Sequence, residues 1–131
     1  MERIQAIFQG DRLIQDFGMT LVEGRDGYAK VSVVVADRFL NAHRIGHGVL
    51  LFAVADAAFA LAVNATRDAV GVQWSLNAFR AAQLGETVIG EAKVIHAGRQ
   101  SLVCVPKSCV YRATQSERMA FSNHVGDELR R

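Results

Sequence analysis

His47-Gly-Val-Leu-Leu-Phe-Ala-Val-Ala-Asp56-Ala-Ala-Phe-Ala-Leu-Ala-Val-Asn64-Ala65 is the stretch that decides the fold. From Val49 to Val63 every side chain is apolar except Asp56. No Gly or Pro interrupts the run, and Ala and Leu, the strongest helix formers, dominate it. It predicts one long helix that is apolar on all sides. Such a helix must be wrapped by other elements or buried against a partner. It does not read as a membrane span, because the apolar run is about 15 residues where roughly 20 are needed, and it carries a charge at its centre.

Asp56 has Phe52, Ala53, Phe59 and Ala60 as its helical neighbours at three and four residues. None of them is a salt-bridge partner. An ionised carboxylate without partners is costly to bury, so donors from another element, a water or a substrate pocket must solvate it. A structural Asp satisfied by nearby backbone is the plain alternative to a functional one. At the other end, His47-Gly48 opens the helix. The first N–H groups there have no intrahelical acceptor and favour negative charge. The N–H of Gly48 or Val49 is therefore a candidate donor to a developing oxyanion, against the simpler reading of a helix cap. Gly48 and Asp56 are eight residues apart, about 12 Å along a helix axis at 1.5 Å per residue. One small reacting group cannot touch both within one chain. Two antiparallel copies of the helix in a symmetric dimer bring the start of one against the middle of the other.

Outward from the helix, the chain reads as α+β. Ile4, Ile7 and Phe8, then Leu13, Ile14 and Phe17, recur at helical spacing around Gly10, predicting a short broken helix or two turns packed on something larger. The segment from Gly18 to Phe39 predicts two strands about the turn Gly24-Arg25-Asp26-Gly27, with Tyr28, Lys30 and Ser32 alternating against Ala29, Val31 and Val33. After the helix, residues 69–79, 86–98, 99–113 and 117–125 read as strands, with Gly85 and Gly98 at turns. Consecutive hairpins favour an antiparallel sheet, here one that curls around a single long central helix, as the hotdog fold does. Pro106 falls inside one of these strands, where it removes a ladder donor and predicts an edge position, a bulge or a break.

The 131 residues fit one domain, 1–131, with half of the residues hydrophobic and a net charge of +2 without a basic stripe. Nucleic acid is not an expected partner, nor is a membrane. The N-terminus lacks the apolar core of a signal peptide, which together with two oddly spaced cysteines suggests reduced thiols in the cytoplasm. Cys104 and Cys109 fall on opposite faces of a regular strand, and two cysteines without Cys-x-x-C do not make a zinc-site pattern.

The run Asn41-x5-His47-Gly48, followed by Phe52-Ala-Val-Ala-Asp56-Ala-Ala-Phe59-Ala-x-Ala-x-Asn64, resembles the PaaI-type hotdog thioesterases of phenylacetate degradation. The resemblance extends from Phe17-Gly18-Met19 to Arg99 and includes Leu84-Gly85-Glu86-Thr87 and Ala97-Gly98-Arg99. It implies hydrolysis of acyl-CoA thioesters, often aromatic ones, by a homodimer, often paired into a homotetramer. It implies no metal and no cofactor beyond the coenzyme A of the substrate. Carried over, Asp56 is the general base or nucleophile, and the Gly48 N–H polarises the thioester carbonyl from the other subunit. Asn41 holds the water or substrate, and His47 shapes the loop. Val49, Phe52 and Phe79, with Phe59 and Trp74, are candidates to line the acyl site, though aromatics also read as plain core. Arg80 and Arg99 are candidates for a CoA phosphate, or simply surface arginines. His43, His96, Ser75 and Ser101 have no spacing that suggests a role.

This chain departs from the family pattern in four places. Val49 replaces the second Gly of His-Gly-Gly, Ala57 stands where relatives often carry Thr, no proline follows Arg80, and the match fades from Val105 onward. These departures keep open an alternative, a non-catalytic acyl-CoA-binding or regulatory hotdog domain. A hotdog hydratase needs an Asp and a His close together on one loop, and Asp37 to His43 matches that poorly.

Overall fold

Strict alternation of buried and half-buried residues from Tyr28 to Val33 makes β2 (Tyr28–Val34) a strand with one face in the core. It pairs with β1 (Thr20–Arg25) across the tight turn Asp26-Gly27, where Arg25 faces Tyr28. Gly27 takes φ +71° there, a conformation that strains any residue with a Cβ. In the computed structural model, residues 2–71, 76–77, 80–99, 102–112 and 115–123 are described. Side chains are described only within 2–71 and 80–99.

The expected broken helix forms as α1 (Glu2–Gly10) and α2 (Arg12–Asp16). Asp11 separates them and caps α2, its carboxylate accepting from the Ile14 N–H at 3.0 Å. Ile4 and Ile14 anchor the pair in the core. After a 3-10 turn (Asp37–Phe39) comes the long helix, α3 (Gly48–Val63), and then β3 (Leu76–Asn77), β4 (Thr87–Ala97), β5 (Leu102–Arg112) and β6 (Gln115–Asn123). The strands form one antiparallel sheet in the order β1-β2-β4-β5-β6-β3. The element order is the one the sequence predicts, but of the strand expected over 69–79 only Leu76–Asn77 is strand among the described residues, residues 69–71 being irregular and 72–75 and 78–79 lying outside them.

Helix α3 lies against β2, β4 and β5. Its approach to the sheet is closest at Gly90 of β4, where an added Cβ would run into the Val54 carbonyl and come within 2.6 Å of Val54 Cγ1. Glycine inside a strand marks such a close approach. The far end of α3 is sealed by Asn64, whose side-chain amide donates to the carbonyls of Ala60 (2.8 Å) and Ala69 (3.0 Å) while its Oδ1 accepts from the Ala69 N–H (2.8 Å). Arg3 of α1 adds a cation at this negative helix end, donating to the Asn64 carbonyl and pairing with Asp68, both at 2.6 Å.

Pro106 sits opposite Ala92 of β4. On its other flank the β5–β6 register begins only at Lys107, paired with Ser122. Among the described residues Pro106 therefore has a neighbouring strand on one side only, which is where a missing N–H is tolerated. Cys104 and Cys109 lie on β5, paired with Val94 and Ile89 respectively. Five residues of strand separate them by roughly 16 Å, beyond the Cα separation a disulfide spans.

Candidate active site

The loop from Phe39 to His47 is folded on itself before the helix begins. Leu40 and Gly46 form an antiparallel bridge. Asn41 organises the turn between them: its Oδ1 accepts from the His43 N–H at 2.9 Å and the Ile45 N–H at 3.4 Å, and its own N–H donates to the Ile45 carbonyl at 2.9 Å. Arg44 takes φ +62° at the tip. Asn41 therefore shapes the loop with its carbonyl oxygen, while its side-chain NH2 makes no hydrogen bond among the described residues.

His47 is the N-cap of α3. Its Nδ1 accepts from the Val49 N–H at 3.1 Å, and its carbonyl accepts from the Leu50 N–H at 2.9 Å. Nδ1 is thus the unprotonated ring nitrogen. Of the two N–H groups proposed for an oxyanion, Val49's is already committed. Gly48's makes no hydrogen bond among the described residues. An ideal Cβ on Gly48 would have nothing within 4 Å, so the backbone at this helix start is open to an approaching group.

Asp56 projects from the middle of α3, half-buried. Phe52, Ala53, Phe59 and Ala60 share its face and are also half-buried, and Val49 is 59% exposed at its end. The rest of the helix is turned into the core, and Ala53 and Phe59 also pack against that core. Two departures from the family pattern thereby become sterically understandable. Val49 points away from the fold and does not crowd the helix start. Ala57 is 5% exposed, on the core side, one position around the helix from the carboxylate.

Among the candidates, His47, Gly48 and Val49 lie at the start of α3, Asn41 lies in the loop before it, bonded to His43 and Ile45, and Phe52 and Asp56 follow along the half-buried face of the helix. Arg80 reaches this end by another route. Its guanidinium faces Glu86 at 3.6 Å, with both side chains largely buried, so it is neither a solvated surface arginine nor an uncommitted charge. Arg99 is exposed in the β4–β5 turn, at the end of β4 opposite to Glu86, so one chain does not bring Arg80 and Arg99 together. His43 and His96 are exposed. Phe79, Trp74, Ser75 and Ser101 lie outside the described residues.

The sequence reading passed over Glu86. It is 6% exposed, and its Oε1 accepts from the Gln83 N–H at 2.6 Å. Its signal was the Leu84-Gly85-Glu86-Thr87 motif, which gave no indication of burial. Among the described residues no group of three or more His, Cys, Asp or Glu is placed to hold a metal ion, and no helix is long and apolar enough to cross a membrane.

A family model of the thioesterase superfamily matches residues 43–105, from the loop before α3 to the residue before Pro106. A relative from Archaeoglobus fulgidus is 32% identical over 130 residues, covering 88% of this chain and 84% of its own. The acyl-coenzyme A thioesterase PaaI of Escherichia coli is 31% identical over 101 residues, covering 76% of this chain and 72% of its own. The solved structure of the E. coli PaaI protein, from the phenylacetic acid degradation operon, superposes with a TM-score of 0.81 at 27% identity, covering 93% of this chain and 88% of that one. A Streptococcus mutans protein solved with acetyl-CoA bound gives 0.69 at 25% identity, covering 80% and 83%. The antiparallel sheet around one central helix, the loop that ends in His47-Gly48 and these relatives agree: the chain belongs to the PaaI-type hotdog thioesterases, a family of hydrolases.

Proposed function

We propose that this protein hydrolyses acyl-CoA thioesters as a homodimer, with Asp56 of one subunit and the Gly48 N–H of the other acting on the same bond. One observation carries the reading: the helix start offers an exposed N–H, and the carboxylate lies on the half-buried apolar face of the same helix, about 12 Å further along at 1.5 Å per residue. A two-fold axis passing near Phe52, midway between them, makes both ends meet twice. The apolar face then becomes the interface between the two helices, and each dimer carries two sites.

In the proposed reaction Asp56 takes a proton from water as the water oxygen attacks the thioester carbonyl. The carbonyl oxygen becomes an oxyanion held by the partner subunit's Gly48 N–H, a fixed donor that needs no reorganisation. Collapse of the tetrahedral intermediate expels CoA as a thiolate, a leaving group that needs no strong acid. Direct attack by the Asp56 carboxylate, through an anhydride later opened by water, uses the same residues. Asn41, with its side-chain NH2 facing no protein acceptor among the described residues, is the candidate to hold the water or substrate. His47 keeps the helix start in shape. Val49, Phe52 and Phe79 are the candidate acyl-site residues. Phe52 and Phe59, half-buried on the same helix face as Asp56, favour an aromatic, phenylacetyl-CoA-like acyl group, as does the operon of the E. coli relative. A phosphate contact by Arg99, pairing of dimers into a tetramer and a cytoplasmic location belong to the same proposal, as does the absence of a metal or further cofactor.

Asp56→Asn tests it. The variant should remain dimeric by light scattering while thiol release from phenylacetyl-CoA falls by about 10²–10⁴-fold, the range for loss of a general base. Turnover close to that of the unmodified protein removes Asp56 from the chemistry. Saturable acyl-CoA binding by the unmodified protein, with no thiol released across a panel of aromatic and aliphatic acyl groups, favours the non-catalytic binding domain instead.

A further inference from the structure

Glu86 is buried at the start of β4, and the hydrolytic mechanism does not use it. The chain from Arg80 to Glu86 is folded around its carboxylate. Oε1 accepts from the Gln83 N–H at 2.6 Å, the Glu86 N–H returns a bond to the Gln83 carbonyl at 3.0 Å, and Arg80 faces Oε2 at 3.6 Å. Gly85, at φ +85°, makes this turn possible. Two further bonds fasten the turn to the end of β2: the Gly85 N–H to the Val35 carbonyl (2.8 Å) and the Val35 N–H to the Glu86 carbonyl (2.9 Å).

Among the described residues this strap contacts the loop before α3 at Gly46. The Ala82 carbonyl accepts from the Gly46 N–H at 2.6 Å. The fit is close enough that a Cβ on Gly46 would stand 2.9 Å from that oxygen and 3.2 Å from Ala82 Cβ. Ala82 is fully buried, so neither side has room to give. Two residues after Gly46 comes Gly48. The path of the backbone into Gly48 is thus held at Gly46 by Ala82, at the His47 N–H by the Phe39 carbonyl (2.8 Å) and at the Val49 N–H by the His47 ring.

We infer that Glu86, seconded by Arg80, is a positioning residue for the Gly48 N–H, acting through the Ala82 carbonyl and Gly46. This rests on the reading of Gly48 as the oxyanion donor. It also assigns Arg80 a role different from phosphate binding: its loss lowers kcat, whereas loss of a phosphate contact raises KM. An oxyanion donor matters through its direction and distance, and small misplacements of reacting groups are costly. Glu86→Gln keeps the shape and the hydrogen-bond acceptor but removes the charge that holds Arg80.

The test is a double-mutant cycle on the full-length protein, read as kcat and KM for phenylacetyl-CoA with thermal unfolding alongside. Gly48→Pro removes only the N–H in question. Proline is tolerated at the first helical position, His47 already has the extended conformation (φ −61°, ψ 137°) that precedes proline, and the space beside Gly48 is open. Gly48→Pro should lower kcat by about 10²–10³-fold. Glu86→Gln should lower kcat by roughly 10-fold with KM within about 2-fold, since it displaces the donor without deleting it. Combined, the two should cost no more than Gly48→Pro alone, because there is no donor left to misplace.

If Gly48→Pro turns over normally, the oxyanion reading falls and takes this inference with it. If Gly48→Pro is impaired but Glu86→Gln is not, or if the two losses multiply, only the positioning role is overturned. Should Glu86→Gln lose its cooperative unfolding transition, Gly46→Ala takes its place in the cycle. It presses on the same Ala82 carbonyl, and the same outcomes decide.

Discussion

On the sheet side of α3, Leu50, Leu51, Val54, Ala58 and Leu61 are at most 2% exposed. On the opposite side Val49 is 59% exposed, and Phe52, Ala53, Asp56, Phe59 and Ala60 are only half-buried. The two faces are nearly alike in hydropathy. They differ in what they meet. The first is fitted to fixed side chains and backbone, down to a glycine in the facing strand. The second is apolar surface that the described chain leaves partly open, with a carboxylate at its centre. A charged group on the sheet side would be desolvated without water or partner. On the open side it can serve a substrate and a second subunit. It is the position of Asp56 around the helix, more than its presence in an apolar run, that makes the proposed catalytic role physically possible.

The contrast breaks first at Gly90. If the sheet side is a close fit, Gly90→Ala drives a methyl group into the Val54 backbone, and the helix must lift. Overpacking of this kind costs about 1–3 kcal/mol, the upper end being expected here because the obstacle is backbone. In a chain of this size that is a fall in Tm of roughly 10 °C. A Gly90→Ala protein that melts with the original would mean that α3 is free to move off the sheet, and its two faces would no longer be distinguished by packing.

Ala53→Glu probes the other face. Ala53 neighbours the place where the proposed two-fold axis crosses α3, so the substitution sets two like charges close together in the dimer. Since Ala53 is half-open in the single chain, the subunit should lose about 1 kcal/mol or less, as surface changes do. Light scattering should show monomers, and thiol release should disappear with the dimer. Dimers with normal turnover would place the interface elsewhere on the molecule.

These features were unequally legible in the sequence. Strands and turns follow from period-2 alternation and from Asp26-Gly27, which are local signals, so the element order could be read directly. The long helix and the exceptional status of Asp56 could also be read, because one charge among apolar residues needs no three-dimensional information to be noticed. The Gly90–Val54 approach and the Arg80–Glu86 pairing could not. Each joins groups whose relation depends on how the sheet curls or how a loop turns back. Gly90 inside a strand was itself a hint of close approach. Arg80 was legible as a cation but not as one held by a neighbour six residues on, since no helical or strand period relates the two. The choice between the Gly48 and Val49 N–H groups turned on a side-chain rotamer, that of His47, which sequence does not report.

The reverse face of the sheet gives the smallest effect, and it sharpens the contrast by treating half-burial differently. Tyr28 points away from α3, opposite to Ala29 and Val31. Its hydroxyl donates to Glu91 at 3.0 Å, and the Arg25 guanidinium lies 3.9 Å over its ring. Burial pushes the Tyr28 phenol up from 10 to about 12, helped by the hydrogen bond to Glu91 and by the charges of Glu91 and Glu23, with Arg25 pulling the other way. A group that holds its proton more tightly when folded stabilises the fold fully below its unfolded pKa and loses that contribution as pH rises through the folded one. The Tyr28–Glu91 contribution should therefore be constant up to about pH 10 and fade between about 10 and 12. Tyr28→Phe keeps the ring under Arg25 and removes only the hydroxyl, so it should cost about 1 kcal/mol at neutral pH. Its Tm should then converge on that of the unmodified protein over the same alkaline interval. A gap in Tm that stays constant from pH 9 to 12 would show that the hydroxyl contributes through packing alone, and that half-burial on this face does not depend on the Tyr28–Glu91 pair.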